Sequence, residues 1–304
     1  MHGARPTGIL ALVVACLLWG TTGTSATFLP DDVSPLAIGA STMGVGGLLL
    51  FATAPRLSAA TLRQPDGRRW AAIGAIGVVV YPLAFYSSMA TVGVAVGNVV
   101  SLGSGPVFAA LLERIFERDR LSGRWAVSTA LAIAGIVLLA VGRDEDGHAP
   151  GDPLTAAGGI GLGLLAGLSY ALYTYASSRA IRAGNPSRGV MGAMFGLGAV
   201  LLLPVLLALG GPLLQSWESV GIAAYLAIGP MFVAYVLFGI GLRSVRSSTA
   251  TTITLLEPVV ATVLAVAIVG ERLALVGWIG FALVLVGLSV LITARRRGSE
   301  APQP

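Results

Sequence analysis

Apolar residues fill ten long stretches of this chain, at roughly 8–28, 35–54, 70–90, 94–113, 124–141, 154–178, 189–209, 218–242, 247–269 and 274–294, while polar residues collect in the short gaps between them. A helix needs about 20 apolar residues to cross the hydrocarbon core of a bilayer. The pattern therefore predicts an all-α, polytopic membrane protein with ten transmembrane helices.

The stretches fall into two similar sets of five. With a shift of 151 residues, Trp19 lands on Tyr170, Gly47 on Gly198, and Ser34-Pro35 on Asn185-Pro186. With a shift of 152, Tyr86 lands on Phe238, Pro106 on Pro258, Arg120-Leu121 on Arg272-Leu273 and Gly135 on Gly287. Five crossings is an odd number, so the second unit must enter the bilayer inverted relative to the first. The expected division is 1–146 for helices 1–5 and 147–304 for helices 6–10. Inverted repeats of this kind place a central cavity where the two units meet, near the membrane midplane.

Composition agrees: 55% of the residues are hydrophobic and 11% charged, with a mean hydropathy of +0.85, which leaves no stretch for a separate soluble domain. Charge adds an orientation. All nineteen basic residues are Arg. With the N-terminus in the cytoplasm, seventeen of them fall on inner segments: Arg5; Arg56, Arg63, Arg68 and Arg69; Arg114, Arg118, Arg120 and Arg124; Arg179, Arg182 and Arg188; Arg243 and Arg246; and Arg295 to Arg297. Only Arg143 and Arg272 fall outside, so the positive-inside rule predicts that both termini are cytoplasmic. The net charge of +5 is thereby explained by insertion, without a nucleic-acid partner. The acidic run Asp144-Glu145-Asp146 reads as the outer linker between the units.

The first apolar run, preceded by Arg5, has the look of a signal peptide. Its removal would break the five-plus-five repeat, so the segment is expected to remain as helix 1. The lone Cys16 within it then reads as a small packing residue.

Candidate chemistry is sparse. Glu257 is the one ionisable side chain placed deep inside a span, and a charge there costs at least about 2.5–3.5 kcal/mol on insertion scales. Two readings stay open: a protonation switch or substrate contact facing a wet cavity, or a neutral acid that donates to a nearby carbonyl. Pro106 and Pro258 each fall near the middle of a predicted helix, where a proline removes a backbone hydrogen bond and kinks the chain. With Gly105 they are candidate hinges. Asn98, Ser101, Leu102 and Gly105 share one helical face, and their repeat partners are Ala250, Ile253, Thr254 and Glu257. Inverted symmetry brings the two stripes together, which makes Asn98, Ser101, Thr254 and Glu257 the polar candidates for a binding site. Trp19, Tyr81, Tyr86, Tyr170, Tyr173 and Tyr235 are the aromatic candidates. Ser34-Pro35 and Asn185-Pro186 read as helix starts, with a capping residue before a proline.

These residues resemble a known family. Phe85-Tyr86 through Pro106-Val107, Leu256-Glu257-Pro258-Val259 through Gly270-Glu271-Arg272-Leu273, and Trp19-Gly20 are similar to the drug/metabolite transporter superfamily, in its ten-helix EamA group. Within that group the chain looks most like bacterial exporters of aromatic and other amino acids. The resemblance covers essentially the whole chain. It implies a secondary exporter of amino acids or similar small amphiphilic metabolites and drugs in the bacterial inner membrane, working by alternating access around a cavity lined mainly by helices 1, 3, 4, 6, 8 and 9. The first unit has Gly105 where the second has Glu257, so any carboxylate role, including exchange of protons, belongs to one half.

A passive facilitator of the same fold is the alternative, and an intramembrane enzyme is a remote one. For the enzyme, His2 and His148 lie outside the spans, no Asp is deep in any span and the chain has no Lys, so the usual activated nucleophiles and paired acids lack parts. No metal site or cofactor is expected, and the sequence lacks a GxxxxGK[ST] loop for ATP.

Overall fold

The computed structural model describes residues 6–117, 123–142, 152–244, 253–254 and 256–298. The acidic run 144–146 and the positions of Arg118, Arg120, Arg143 and Arg246 lie outside the described residues. Among the described residues the regular elements are helices. Among the described residues, seven are long and apolar enough to cross a membrane: Thr7–Ala26, Pro35–Thr53, Pro65–Val92, Val94–Glu117, Pro153–Arg182, Ser187–Leu209 and Trp217–Gly241. Shorter apolar helices cover Thr129–Leu139, Leu256–Val269 and Leu275–Gly287. The chain is thus a multi-pass, all-helical membrane protein.

The elements follow the apolar pattern, with local departures. The first stretch is α1 (Pro6–Gly20) and α2 (Thr22–Ala26), separated at Thr21. Next come α3 (Pro35–Thr53), α4 (Pro55–Arg63), α5 (Pro65–Val92), α6 (Val94–Glu117) and α7 (Gly123–Val141). The second half has α8 (Pro153–Arg182), α9 (Ser187–Leu209), α10 (Trp217–Leu226), α11 (Ala234–Ser244), α12 (Leu256–Leu264) and α13 (Leu275–Gly298). A π-helical segment, Ala227–Val233, joins α10 to α11 around Pro230, and another, Ala265–Val269, extends α12. Such segments absorb an extra residue per turn and are frequent at functional sites.

Helix ends are set by identifiable side chains. Ser34 caps α3 by accepting from the Ala37 amide at 3.2 Å, with Pro35 at the first helical position. Asp152 does the same for α8. Its carboxyl accepts from the Thr155 hydroxyl and from the amides of Leu154 and Thr155, which hold it below the usual carboxylate range. Asn185 departs from the expectation that it starts a helix. It instead finishes α8: Gly184 adopts φ +91°, the Asn185 amide returns to the Ala180 carbonyl at 3.3 Å, and the Asn185 side-chain nitrogen donates to the same carbonyl at 3.1 Å. A left-handed glycine followed by a backward amide is a strong stop signal, and it outweighs the capping tendency of Asn.

Helix α4 was not visible as a separate element, because a nine-residue polar helix is too short to stand out from a loop. It lies on a face of α9 from which side chains are missing. A Cβ on Gly189 would stand 2.7 Å from the Leu57 carbonyl oxygen, and one on Gly192 would stand 2.3 Å from the Ser58 hydroxyl. Small residues likewise let α5 and α8 meet at Gly77 and Ser169, and let α6 and α8 meet at Ser101 and Gly167. Helices α7 and α13 pair through Gly135 with Gly280 and Gly142 with Gly277, with the Ala274 amide donating to the Gly142 carbonyl at 2.9 Å.

Candidate functional site

Helices α5 and α8 carry Tyr81, Phe85, Tyr86, Tyr170 and Tyr173, and the close approach at Gly77 brings rings of the two helices into contact. Tyr170 and Tyr173 stand one turn apart on α8, with ring centroids 5.2 Å apart. Tyr81 of α5 lies 5.9 Å from Tyr170 and 6.1 Å from Tyr173, and stacks on Phe85 at 5.3 Å. From the other side, Trp19 of α1 meets Tyr235 and Phe238 of α11 at 5.3 and 5.4 Å. A hydrogen bond of 3.0 Å between the Tyr173 and Tyr235 hydroxyls closes the arc. Edge and tilted contacts at these separations are favourable arrangements of aromatic quadrupoles.

These rings surround a cavity with about 810 Å³ of empty space, counting the part open to its surroundings. Of the sequence candidates, Trp19, Tyr81, Tyr86, Tyr170, Tyr173, Tyr235, Thr254 and Glu257 all line it. Glu257 is half-buried in its wall. Tyr86 is held by a 3.3 Å hydrogen bond to Thr42 of α3.

Asn98 and Ser101 are placed elsewhere. Both are fully buried within α6 and neither is among the described lining residues; Leu102, on the same face, reaches the cavity instead. The Ser101 hydroxyl donates back to the Gly97 carbonyl at 2.7 Å. Among the described residues, Asn98 finds no partner for its side-chain oxygen or nitrogen. A 100° turn per residue is enough to move a side chain from cavity to packing interface.

The candidate hinges also differ from one another. Pro106 sits inside the continuous helix α6, and Gly105 beside it gives the Tyr170 ring room, since a Cβ there would be 3.1 Å from that ring. Pro258 is instead the third residue of α12, where a missing amide costs nothing. The Thr254 carbonyl, four residues before Pro258, accepts from the Glu257 amide at 3.1 Å.

Several lining residues escaped sequence reasoning. Thr22, Thr42, Met43, Pro82, Pro230 and Met231 complete the wall. Pro82 and Pro230 carried a usable signal, because each interrupts an apolar run at mid-span. Glu271 lies between the π-helical segment Ala265–Val269 and α13, and its carboxylate accepts from the backbone amides of Val94 and Ala95 at the start of α6, beside Gly93 with φ +88°. A carboxylate at a helix N-terminus satisfies orphan amides and complements the helix dipole.

The sequence profile of the EamA-like transporter family matches residues 6–141 and 157–293. The chain belongs to the EamA-like transporter family. The two matches fall one on each half. An uncharacterized transporter, YwfM, of Bacillus subtilis (strain 168) is 32% identical over 296 residues, covering 96% of each chain. A protein of Streptantibioticus cattleyicolor described as a probable terminal-alkyne amino-acid exporter is 24% identical over 302 residues, covering 97% of each. A solved structure titled only as the crystal structure of a protein aligns with a TM-score of 0.65 at 22% identity, over 98% of this chain and 100% of the other, which establishes the shared fold. Membership in this family makes the chain a transporter.

Proposed function

We propose that this EamA-family chain is a secondary exporter that carries small amphiphilic solutes through the aromatic cavity by alternating access, in the cytoplasmic membrane of a bacterium. The class includes amino acids and amphiphilic drugs. The observation that carries this reading is the composition of the cavity wall: aromatic rings from α1, α5, α8 and α11 around one carboxylic acid, Glu257. Apolar and aromatic walls with a few polar groups bind amphiphilic ligands.

The two family matches and the shifted sequence identities support two units, inverted relative to each other, with the cavity between them. The partition of Arg supports cytoplasmic termini. The description of the Streptantibioticus relative as an amino-acid exporter supports the substrate class. Glu257 is the group that would exchange a proton during the cycle, while Gly105, Pro106 and Pro258 are the positions where α6 and α12 would bend. The test is uptake into proteoliposomes of radiolabelled amino acids and lipophilic cations, with and without a pH gradient. Saturable uptake with counterflow is expected. Uptake no faster than in protein-free liposomes across the panel would refute the reading.

A further inference from the structure

The charge of the cavity narrows the solutes it can hold; this inference rests on the transporter reading above. Eight of the seventeen described lining residues are aromatic, and Glu257 is the one among them that can carry a charge at neutral pH. Among the described lining residues none is Lys, Arg or His, so none offers a positive side chain to balance an anion. There is no Lys, the two His are at positions 2 and 148, and every Arg falls at the ends of the apolar stretches or between them.

A helix N-terminus could replace a cation as the partner of a substrate carboxylate. The start of α12 lies at the site, and it is already used. Its first turn contains Glu257, whose own amide is bonded to the Thr254 carbonyl, and Pro258, which has no amide to offer. A second carboxylate placed there would meet the Glu257 side chain.

A zwitterionic amino acid would therefore leave its carboxylate desolvated and without a counter-charge, which is costly in a low-dielectric site. An ammonium group meets the opposite situation. Glu257 supplies the counter-ion, and the faces of Trp19 and the surrounding tyrosines attract a cation through their quadrupoles. Hydroxyls of Thr22, Thr42 and Thr254 add neutral polar contacts that suit either charge. We propose that this cavity selects organic cations, amines or quaternary ammonium compounds with an apolar or aromatic body and no free carboxylate, over zwitterionic amino acids.

The experiment measures equilibrium binding to the full chain in nanodiscs for three compounds with the same phenyl group and different charge: trimethyl(phenethyl)ammonium, phenylalanine and 3-phenylpropanoate. The quaternary ammonium compound is expected to bind at least about tenfold more tightly than phenylalanine, and 3-phenylpropanoate more weakly than both. Glu257→Gln should reduce the first ratio to about threefold or less, while Glu257→Asp, which retains the charge, should keep it. Phenylalanine binding as tightly as the ammonium compound, a ratio that survives Glu257→Gln, or no binding of any of the three would overturn the inference. The wild-type ranking decides the matter even if a variant does not fold. Counterflow of the tightest binder in proteoliposomes is scored separately: binding in the expected order without counterflow sinks the transport reading and leaves the charge selection standing.

Discussion

The Glu271 carboxylate, in the C-terminal half of the chain, accepts a 2.8 Å hydrogen bond from the Ala95 amide at the start of α6 in the N-terminal half. A second bond, from the Val94 amide, makes the contact two-pronged. The end of the α12 segment and the start of α6 are thereby tied at one level, with Gly93 turned to φ +88° to admit the carboxylate. Removal of a helix cap costs about 0.5–2 kcal/mol, so Glu271→Ala should lower the Tm of the purified protein by roughly 1–6 °C. Glu271→Gln, which keeps an acceptor and loses the charge, should fall between. A Tm for the Ala variant equal to wild type would show that the cap contributes nothing to the fold.

Trp19 and Tyr170 border the cavity, whereas Asn98 does not. Trp19→Ala and Tyr170→Ala should shift the KM for a transported substrate by about threefold or more, and should change the order of preference among substrates, because aromatic faces set affinity without fixing a single ligand. Asn98→Ala removes a buried amide that has no partner and should leave KM within about twofold. The reverse pattern, with Asn98 sensitive and both aromatics silent, would move the site away from this cavity.

At Gly167, α8 lies close against α6. A Cβ there would be 2.7 Å from the Ser101 carbonyl oxygen, which belongs to backbone and cannot turn aside. Gly167→Val should therefore separate the two helices and lower the Tm by several degrees, at a cost of about 1–3 kcal/mol typical of overpacking. Gly161→Val, on the same helix with nothing within 4 Å, is the control and should be close to neutral.

Which of these features could be read from sequence depends on how far the responsible force acts along the chain. Spans such as α3 and α9 were legible because about twenty predominantly apolar residues suit a membrane crossing, and the aromatic candidates were legible as large rings near mid-span. The cap formed by Glu271 was not legible: its partners are 176 and 177 residues away, and nothing local distinguishes it from a loop acid. Asn98 is buried within α6 while Leu102 of the same face lines the cavity, since helical periodicity assigns a face only to within about one residue. At Asn185, two local rules competed, and the left-handed Gly184 decided between them.

Orientation is testable without transport. In a Cys16→Ser background, Arg63→Cys and Arg182→Cys should resist a membrane-impermeant maleimide in intact cells and react after permeabilisation, because seventeen of the nineteen Arg lie on the side assigned to the cytoplasm. Reaction in intact cells at either position would reverse the assignment.

Coupling turns on Glu257. If a proton on this carboxyl is exchanged in each cycle, Glu257→Gln should retain substrate exchange between equal pools while losing the acceleration of net flux by a pH gradient, since the amide mimics the protonated acid and cannot titrate. Gradient-driven and exchange fluxes measured on the same vesicles separate the two. An undiminished gradient response in the Gln variant would remove the coupling role and leave Glu257 as a binding group.

Alternating access makes the most direct demand on the structure: one and the same cavity position must be reachable from each side of the membrane in turn. Leu102 lines the cavity from α6 and carries no charge. In a Cys16→Ser background, Leu102→Cys should react with a small, charged methanethiosulfonate in right-side-out vesicles and also in inside-out vesicles, and a transported solute should slow both reactions. Reaction from one side alone, whether or not the solute is present, would contradict the account.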